Sequence, residues 1–453
     1  MTATTGRGRK RMNMAESNEF GEVILWMITN SSTWQHRRVE SLRLSDGPLS
    51  RRRVSLDITV PKDDRLQVTS RAPGADPLLF VPLAMVQKAR LQDFDSFVDG
   101  SKPLPIADTE VNGRAAVAAV VAAWTLELGE APSHDARVII RTVVHSKNDS
   151  DSDKRLSDFL DGGVWEGTRI RIDAARAPQT VELLALLARN FLLAGLFPLP
   201  AAGTRQIVKY STHWELVGGA RDQRLPWWQW VTSAFGLSSA SLEIPLNAGS
   251  IVAESTHLEV HTPRGLLGDE VTLESLGVVV ERDMRPGVVC HVATRKDDKT
   301  PSPDRAVIRL RTSPYGLLPW TAVAATASAV MLWGGWFAGF SSRIFEPDAP
   351  SITPIFLAAI AVLLGFLSRD QENPVAARLL RPLRISVASL ALVYVVLAAA
   401  IALRMGAGIG NSVWFAGGIW TAVLCALTVT GLIQCRRLAV NSDDEVLHAA
   451  GPE

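Results

Sequence analysis

Cysteine is scarce in this 453-residue chain: Cys290, Cys425 and Cys435 are all it has. An odd count with no Cys-x-x-Cys pair excludes a disulfide framework and a thiolate metal site, and it fits a reducing compartment. The first 20 residues contain no apolar core segment, so no secretory signal peptide is expected. The formal net charge is only +1, which removes any bulk attraction to nucleic acid or acidic substrates. A Walker A loop, His-Glu-x-x-His, Gly-x-Ser-x-Gly and the kinase and Rossmann fingerprints are all missing. Gly406-Ala-Gly-Ile-Gly410 lies in a tight connection and reads as a turn, since its setting is wrong for phosphate. No catalysis, no cofactor and no nucleic-acid partner is predicted.

What the chain does have is four apolar runs in its last third, Leu317–Phe340, Ile352–Leu367, Ile385–Leu403 and Val413–Ile433. Crossing the hydrocarbon core takes about 20 apolar residues, and three of the four runs reach that length. The mean hydropathy of +0.13 comes from this region. Arginine alternates between the connections. Arg305, Arg309 and Arg311 precede the first run, and Arg369, Arg378, Arg381 and Arg384 separate the second from the third. Arg436 and Arg437 follow the fourth. Arg343 is offset by Glu346 and Asp348, and Arg404 stands alone. Basic connections stay cytoplasmic, so four spans with both termini inside are expected, in a bacterial inner (cell) membrane. The second run is short and begins with Pro354 in its first turn, a position that tolerates proline.

The runs carry no Asp, Glu, Lys or His at mid-depth. Pumps and proton-coupled carriers rely on such groups, so an anchor is favoured over transport. Trp320, Trp333, Trp336 and Trp414 mark run ends, as interfacial tryptophans do. Gly335 and Gly339 form a Gly-x-x-x-Gly pattern, and Gly417 and Gly418 sit in the fourth run. These allow close helix approach, either inside one bundle or in a homo-oligomer.

The preceding 315 or so residues predict an α+β fold: a β-rich, sandwich-like soluble region with inserted helices, followed by a four-helix transmembrane bundle. Val54, Leu56, Ile58 and Val60 alternate with Arg53, Ser55, Asp57 and Thr59, the pattern of a half-buried strand. Strands are also expected at Glu22–Asn30, Arg38–Leu44, Leu66–Arg71, Leu78–Val86, Leu91–Val98, Val138–Val144 and Thr168–Ile172. After Thr204 further strands are expected at Gln206–Leu216, Leu242–Pro245, Glu254–His261, Leu276–Val280, Val288–Thr294 and Ala306–Arg311. Helices are expected at Asp108–Leu128, whose apolar centre is too short to span a membrane and reads as buried, and from Pro178 to Ala194. His145–Arg155 reads as a polar connector. The expected divisions are a disordered basic tail (1–17), a β-rich domain (18–165), a second mixed domain (166–315), the bundle (316–435) and a cytoplasmic tail (436–453).

Arg52-Arg-Val-Ser-Leu-Asp-Ile-Thr-Val-Pro61, Val81-Pro-Leu-Ala-Met-Val-Gln-Lys88, Ser255-Thr-His-Leu-Glu-Val260 with Pro263, and Cys290-His-Val292 resemble blocks in a family of actinobacterial membrane proteins. The resemblance covers about half of the soluble region in scattered pieces. It implies a β-rich cytosolic region ahead of C-terminal membrane helices, and no activity. Arginine in excess of lysine, with abundant Ala and Val, fits a GC-rich bacterial source.

Two stretches carry chemistry. In a strand, His257, Glu259 and His261 share one face, and His291 could join them from a neighbour; imidazole and carboxylate suit zinc. The competing reading is a plain polar face opposite Leu258 and Val260. Leu225–Phe235 holds Trp227, Trp228 and Trp230 in an amphipathic turn, which suits either a membrane interface or a buried helix. The function expected is a membrane-anchored cytosolic interaction or sensing module, with the lipid bilayer and a cytosolic protein as partners. An oligomeric channel or transporter and a metal-dependent enzyme are the alternatives.

Overall fold

The alternation at residues 53–60 builds the centre of the largest sheet. The computed structural model describes residues 12–13, 18–44, 50–70, 76–88, 92–146, 154, 157, 175–214, 227–246, 251–275, 278–284, 287–295, 303, 305–345, 352–367 and 374–449. Strands β2 (Gln35–Arg43), β3 (Ser50–Thr59), β6 (Gln92–Val98), β7 (Lys102–Pro103), β9 (Arg205–Trp214), β11 (Ser255–His261) and β14 (Val289–Arg295) form a seven-stranded sheet. Its order is β14-β11-β2-β3-β9-β6-β7. All its pairings are antiparallel except β11 on β2. Strands from both sides of residue 165 therefore interleave in one sheet, and the expected division there does not separate two sheet systems.

A second sheet joins β1 (Met12–Asn13), β4 (Gln67–Ser70), β5 (Leu78–Gln87) and β8 (Asn190–Pro198). Residues 12 and 13 of the expected tail are thus a short strand. Strand β5 is buried at eight successive positions from Leu79 to Val86, the run-type burial of a strand covered on both faces. A third sheet, β10 (Ala240–Pro245), β15 (Arg305–Thr312), β12 (Leu266–Ser275) and β13 (Val278–Asp283), lies toward the apolar helices.

Two expected strands are helices. In α1 (Asn18–Thr29) the residues Phe20, Val23, Ile24, Met27 and Ile28 are buried. In α3 (His134–His145) they are Ala136, Ile139, Ile140, Val143 and Val144. Both sets repeat at i, i+3, i+4, i+7 and i+8, the helical period, and this outweighs the strand preference of Val and Ile. Ser133 caps α3 by accepting the Ala136 N–H at 3.2 Å. Helix α2 (Thr109–Leu128) is as expected, capped by Asp108 and closed by Gly129 at φ 75°. Helix α4 (Pro178–Arg189) stops five residues early, because Asn190 begins β8. Strand β12 was not expected at all. The Thr168–Ile172 strand and most of the His145–Arg155 connector lie outside the described residues.

The C-terminal helices are α6 (Leu317–Phe337), the short α7 (Phe340–Ile344), α8 (Ile352–Leu367), α9 (Pro374–Ala402) and α10 (Ala407–Ala449). Four described helices are long and apolar enough to cross a membrane: α2, α6, α9 and α10. Helix α2 instead packs with α1, α3, α4 and β8 in the first hydrophobic core, as its expected burial required. Helix α9 begins eleven residues before the expected run and carries Arg378, Arg381 and Arg384 on its first turns. Helix α10 continues through the expected tail.

A second core runs without a break from the third sheet into these helices. The join is a close one. Helix α5 (Trp227–Ala234) is followed by Phe235, whose carbonyl lies where a Cβ on Gly431 of α10 would stand. Thr312 at the end of β15 donates its hydroxyl to the carbonyls of Ser233 and Ala234 at 3.0 and 2.9 Å. The Cys435 thiol donates to the Thr312 carbonyl at 3.3 Å.

Candidate functional site

The seven-stranded sheet buries one face and leaves the other to solvent, and the register fixes what the open face carries. Arg43 is paired with Arg51, Arg51 with His213, and His261 with Arg43, so these four stand abreast in one rung across β11, β2, β3 and β9. The next rung holds His291, Glu259, Ser41, Arg53, Ser211 and Asp95, and the third holds His257, Val39, Ser55, Lys209 and Phe97. Neighbouring strands lie about 4.8 Å apart, which crowds like charges. Partial burial, then repulsion from Arg51 and Arg43, lowers the pKa of the Arg53 guanidinium. Arg51 reaches Asp95 at 3.9 Å and His213 reaches Asp93 at 3.2 Å. Arg43, Arg53 and Lys209 form no ion pair among the described residues.

Charge on this face is graded. Away from the C-terminal apolar helices, cations are paired locally: Arg205 makes a two-pronged pair with Asp57 at 2.7 and 2.6 Å, and Arg295 pairs with Glu254 at 2.7 Å. The cationic rung is at the opposite end, where the Thr262–Gly265 turn from β11 to β12 lies against the segment leading into α6. There the Ser313 N–H donates to the Gly265 carbonyl at 2.8 Å. A depression of about 370 Å³ opens among Arg51, Arg53, Lys209, Ser55, Val39 and Phe97.

The buried face directly behind carries charge too. Glu40 lies between Arg38 and Arg52, with side chains 3%, 3% and 8% exposed respectively. Arg38 donates to Glu40 Oε2 at 3.2 Å, and Arg52 pairs with Oε1. Burial opposes the Arg38 charge, but the Tyr210 phenol and Glu40 outweigh it and raise its pKa. Burial pushes the Tyr210 phenol up.

His257, Glu259, His261 and His291 all lie on the open face, as their spacing required. His257 Nδ1 stands 3.3 Å from His291 Nε2, with ring centroids 5.5 Å apart. Glu259 is the register partner of His291. Among the described residues no group of three or more His, Cys, Asp or Glu is arranged to hold a metal ion. Burial, then Arg37 and His291, lowers the His257 pKa. A larger recess of about 830 Å³ lies beside α1, under Trp26 and Leu126. On its rim Arg65 is already paired with Asp63 at 2.8 Å.

The marked tryptophans divide. Trp227 opens α5; Trp228 is half exposed, and the Arg378 guanidinium stacks 4.9 Å from the Trp230 ring centroid. Trp320 is 64% exposed, beside Tyr315 at 84%. Trp414 is buried between helices, where its indole N–H donates to the Leu332 carbonyl at 2.8 Å. Trp333 likewise donates to the Gly418 carbonyl at 2.9 Å, and Trp336 packs on Phe415 at 5.4 Å. Among the marked glycines, Gly335 makes room for Trp414, Gly417 for Val393 and Gly418 for Trp333. A Cβ on Gly339 would meet nothing within 4 Å; its φ of +70° is what the position just after α6 requires.

No protein-family model, curated protein or solved structure matches the chain.

Proposed function

We propose that the chain is a multipass membrane protein that holds a β-rich binding module at the cytoplasmic surface, and that the module docks an acidic protein segment on its open sheet face. The bilayer reading is supported by the outward residues of the helices. Val323, Val330, Leu363 and Leu392 are each more than 60% exposed, an apolar surface that water disfavours and lipid accepts. Helix α6, with 21 residues, is ~31 Å long at ~1.5 Å per residue, enough for the hydrocarbon core. Helix α8, with 16 residues, reaches only ~24 Å, and local thinning or flanking polar residues accommodate the difference. The arginine distribution supports an inside location for the module and both termini, in a bacterial cell membrane. The family resemblance supports the same arrangement.

One observation carries the docking reading: beside Arg51, whose contact with Asp95 is a long 3.9 Å, the cations Arg43, Arg53 and Lys209 form no ion pair among the described residues. Four permanent cations on adjacent strands repel one another, and an acidic partner relieves that repulsion. Such complementarity governs specificity and association rate. The uncharged mid-depths of the spans favour an anchor over a pump.

The test uses the full chain in zwitterionic nanodiscs, titrated with a fluorescent oligo-glutamate peptide. Binding should weaken about tenfold or more in the Arg43→Glu/Arg53→Glu variant and fall steeply with salt. Reversal at Arg205 or Arg295 should change little. Equal binding by all three variants would refute the docking reading. Binding only when the nanodiscs are anionic would assign the face to lipid headgroups instead.

A further inference from the structure

We infer that the cleft between α9 and α10, roofed by α5, is a binding site for one anionic glycerophospholipid. The inference rests on the membrane reading above. Helices α6 and α10 pack on each other, as do α8 and α9, and a groove of about 490 Å³ remains between α9 and α10. Its charged groups sit at one end. Arg378 and Arg381 come from the first turns of α9, with Arg378 stacked on Trp230 of α5. Among the described residues no carboxylate lines the groove and Arg381 makes no ion pair.

Below the arginines the walls are apolar. Ile385 follows Arg381 by one turn on the same face of α9, and Leu427, Val423 and Trp420 descend along the antiparallel α10. Ile385, Val423 and Trp420 are 58%, 45% and 44% exposed. The indole N–H of Trp420 is taken by Ser389 Oγ at 2.9 Å, which leaves its ring as apolar wall. From Arg378 to Ser389 is eleven residues, or ~16 Å along the helix, close to the ~15 Å of one hydrocarbon leaflet. A headgroup at the arginines would thus place its acyl chains along the groove to mid-membrane. Paired cations above an apolar slot between spans on the cytoplasmic side form the chemistry that retains anionic lipid. The site also has a structural consequence. Helix α5 is tied to β15 through Thr312, so a bound lipid would brace the soluble module against the bundle.

The test is native mass spectrometry of the full chain released from micelles after exposure to phosphatidylglycerol, phosphatidylcholine or inorganic phosphate. One phosphatidylglycerol should be retained per chain, about tenfold or more over phosphatidylcholine. Arg378→Gln/Arg381→Gln should abolish the preference, and Arg404→Gln at the far end of α9 should keep it. Val423→Trp, which fills the apolar slot and leaves both arginines, should also reduce lipid retention. Equal retention of the two lipids, an unaffected arginine variant, or displacement of the lipid by millimolar phosphate would overturn the inference. A chain extracted from membranes by alkaline carbonate would instead overturn the membrane reading on which it rests.

Discussion

Replacing Glu40 by Gln tests the energetics beneath the cationic face. Glu40 is the only carboxylate among three buried, nearly solvent-free side chains, with Arg38 at 3.2 Å and Arg52 closer still. The amide keeps the shape and one acceptor but removes the negative charge, leaving two guanidinium groups to repel each other out of water. Breaking a buried pair by neutralising one partner costs about 3–5 kcal/mol. The two contacts share one carboxylate, so their losses do not add. At roughly 2–4 °C per kcal/mol for a domain of this size, the melting temperature should fall by about 10 °C. Thermal unfolding followed by circular dichroism, on the full chain in detergent, reads this directly. Hydrogen exchange in β2 and β3 localises it. The triple variant Arg38→Met/Glu40→Leu/Arg52→Met should recover to within about 1 kcal/mol of the parent, because apolar replacement of a whole buried cluster is near neutral. A Glu40→Gln protein as stable as the parent, or a triple variant worse than the single one, would show that the buried cluster is not held by the Glu40 charge.

Lys88 gives a pH signature. Burial lowers its pKa from 10.5 to about 8. The unfolded chain therefore binds more protons than the folded one between those values, and stability rises with pH across that window. Lys88→Met should flatten this rise and raise stability at neutral pH, measured by urea unfolding at pH 7 and pH 10. Glu127 accepts the N–H groups of Gln179 and Thr180 and the Thr180 hydroxyl at 2.7–2.9 Å, capping α4 from α2. Glu127→Ala should cost about 1–2 kcal/mol and speed amide exchange at the start of α4, and unchanged exchange would contradict this role. Gly431→Ala places a Cβ against the Phe235 carbonyl. Exchange should increase in α5 and at the end of β15 while α6 and α9 stay protected, and a uniform or absent change would count against the join described here.

Periodicity made most elements legible, and its failures have a common cause. In α1 and α3, Val and Ile favour strand by residue type, whereas their spacing is helical and decides the outcome. Strand β12 was hidden because Leu266–Ser275 mixes Gly, Asp and Glu with its apolar residues, and its burial comes from neighbours on both sides. The open-face placement of His257, Glu259, His261 and His291 could be read from alternation alone. The cationic rung could not, because it joins residues from β2, β3, β9 and β11 through register. The Arg51-Arg-Arg53 run was its sole local trace, with Arg53 and Arg51 on one face and Arg52 turned into the core. The groove at Arg378 was equally hidden, since helix α9 begins before its apolar run and α5 reaches it from elsewhere in the chain.

The sidedness of the helices decides where the soluble region and both termini lie. On a background with the three native cysteines replaced, single cysteines at Glu130, Asp348, Gln371, Met405 and Asn441 can be labelled with a membrane-impermeant maleimide. Cells and inverted vesicles then report the two sides. Four spans with both termini inside predict labelling at Glu130, Gln371 and Asn441 only in inverted vesicles, and at Asp348 and Met405 only in intact cells. Labelling of Gln371 from the outside, or of all five positions from one side, would contradict this topology.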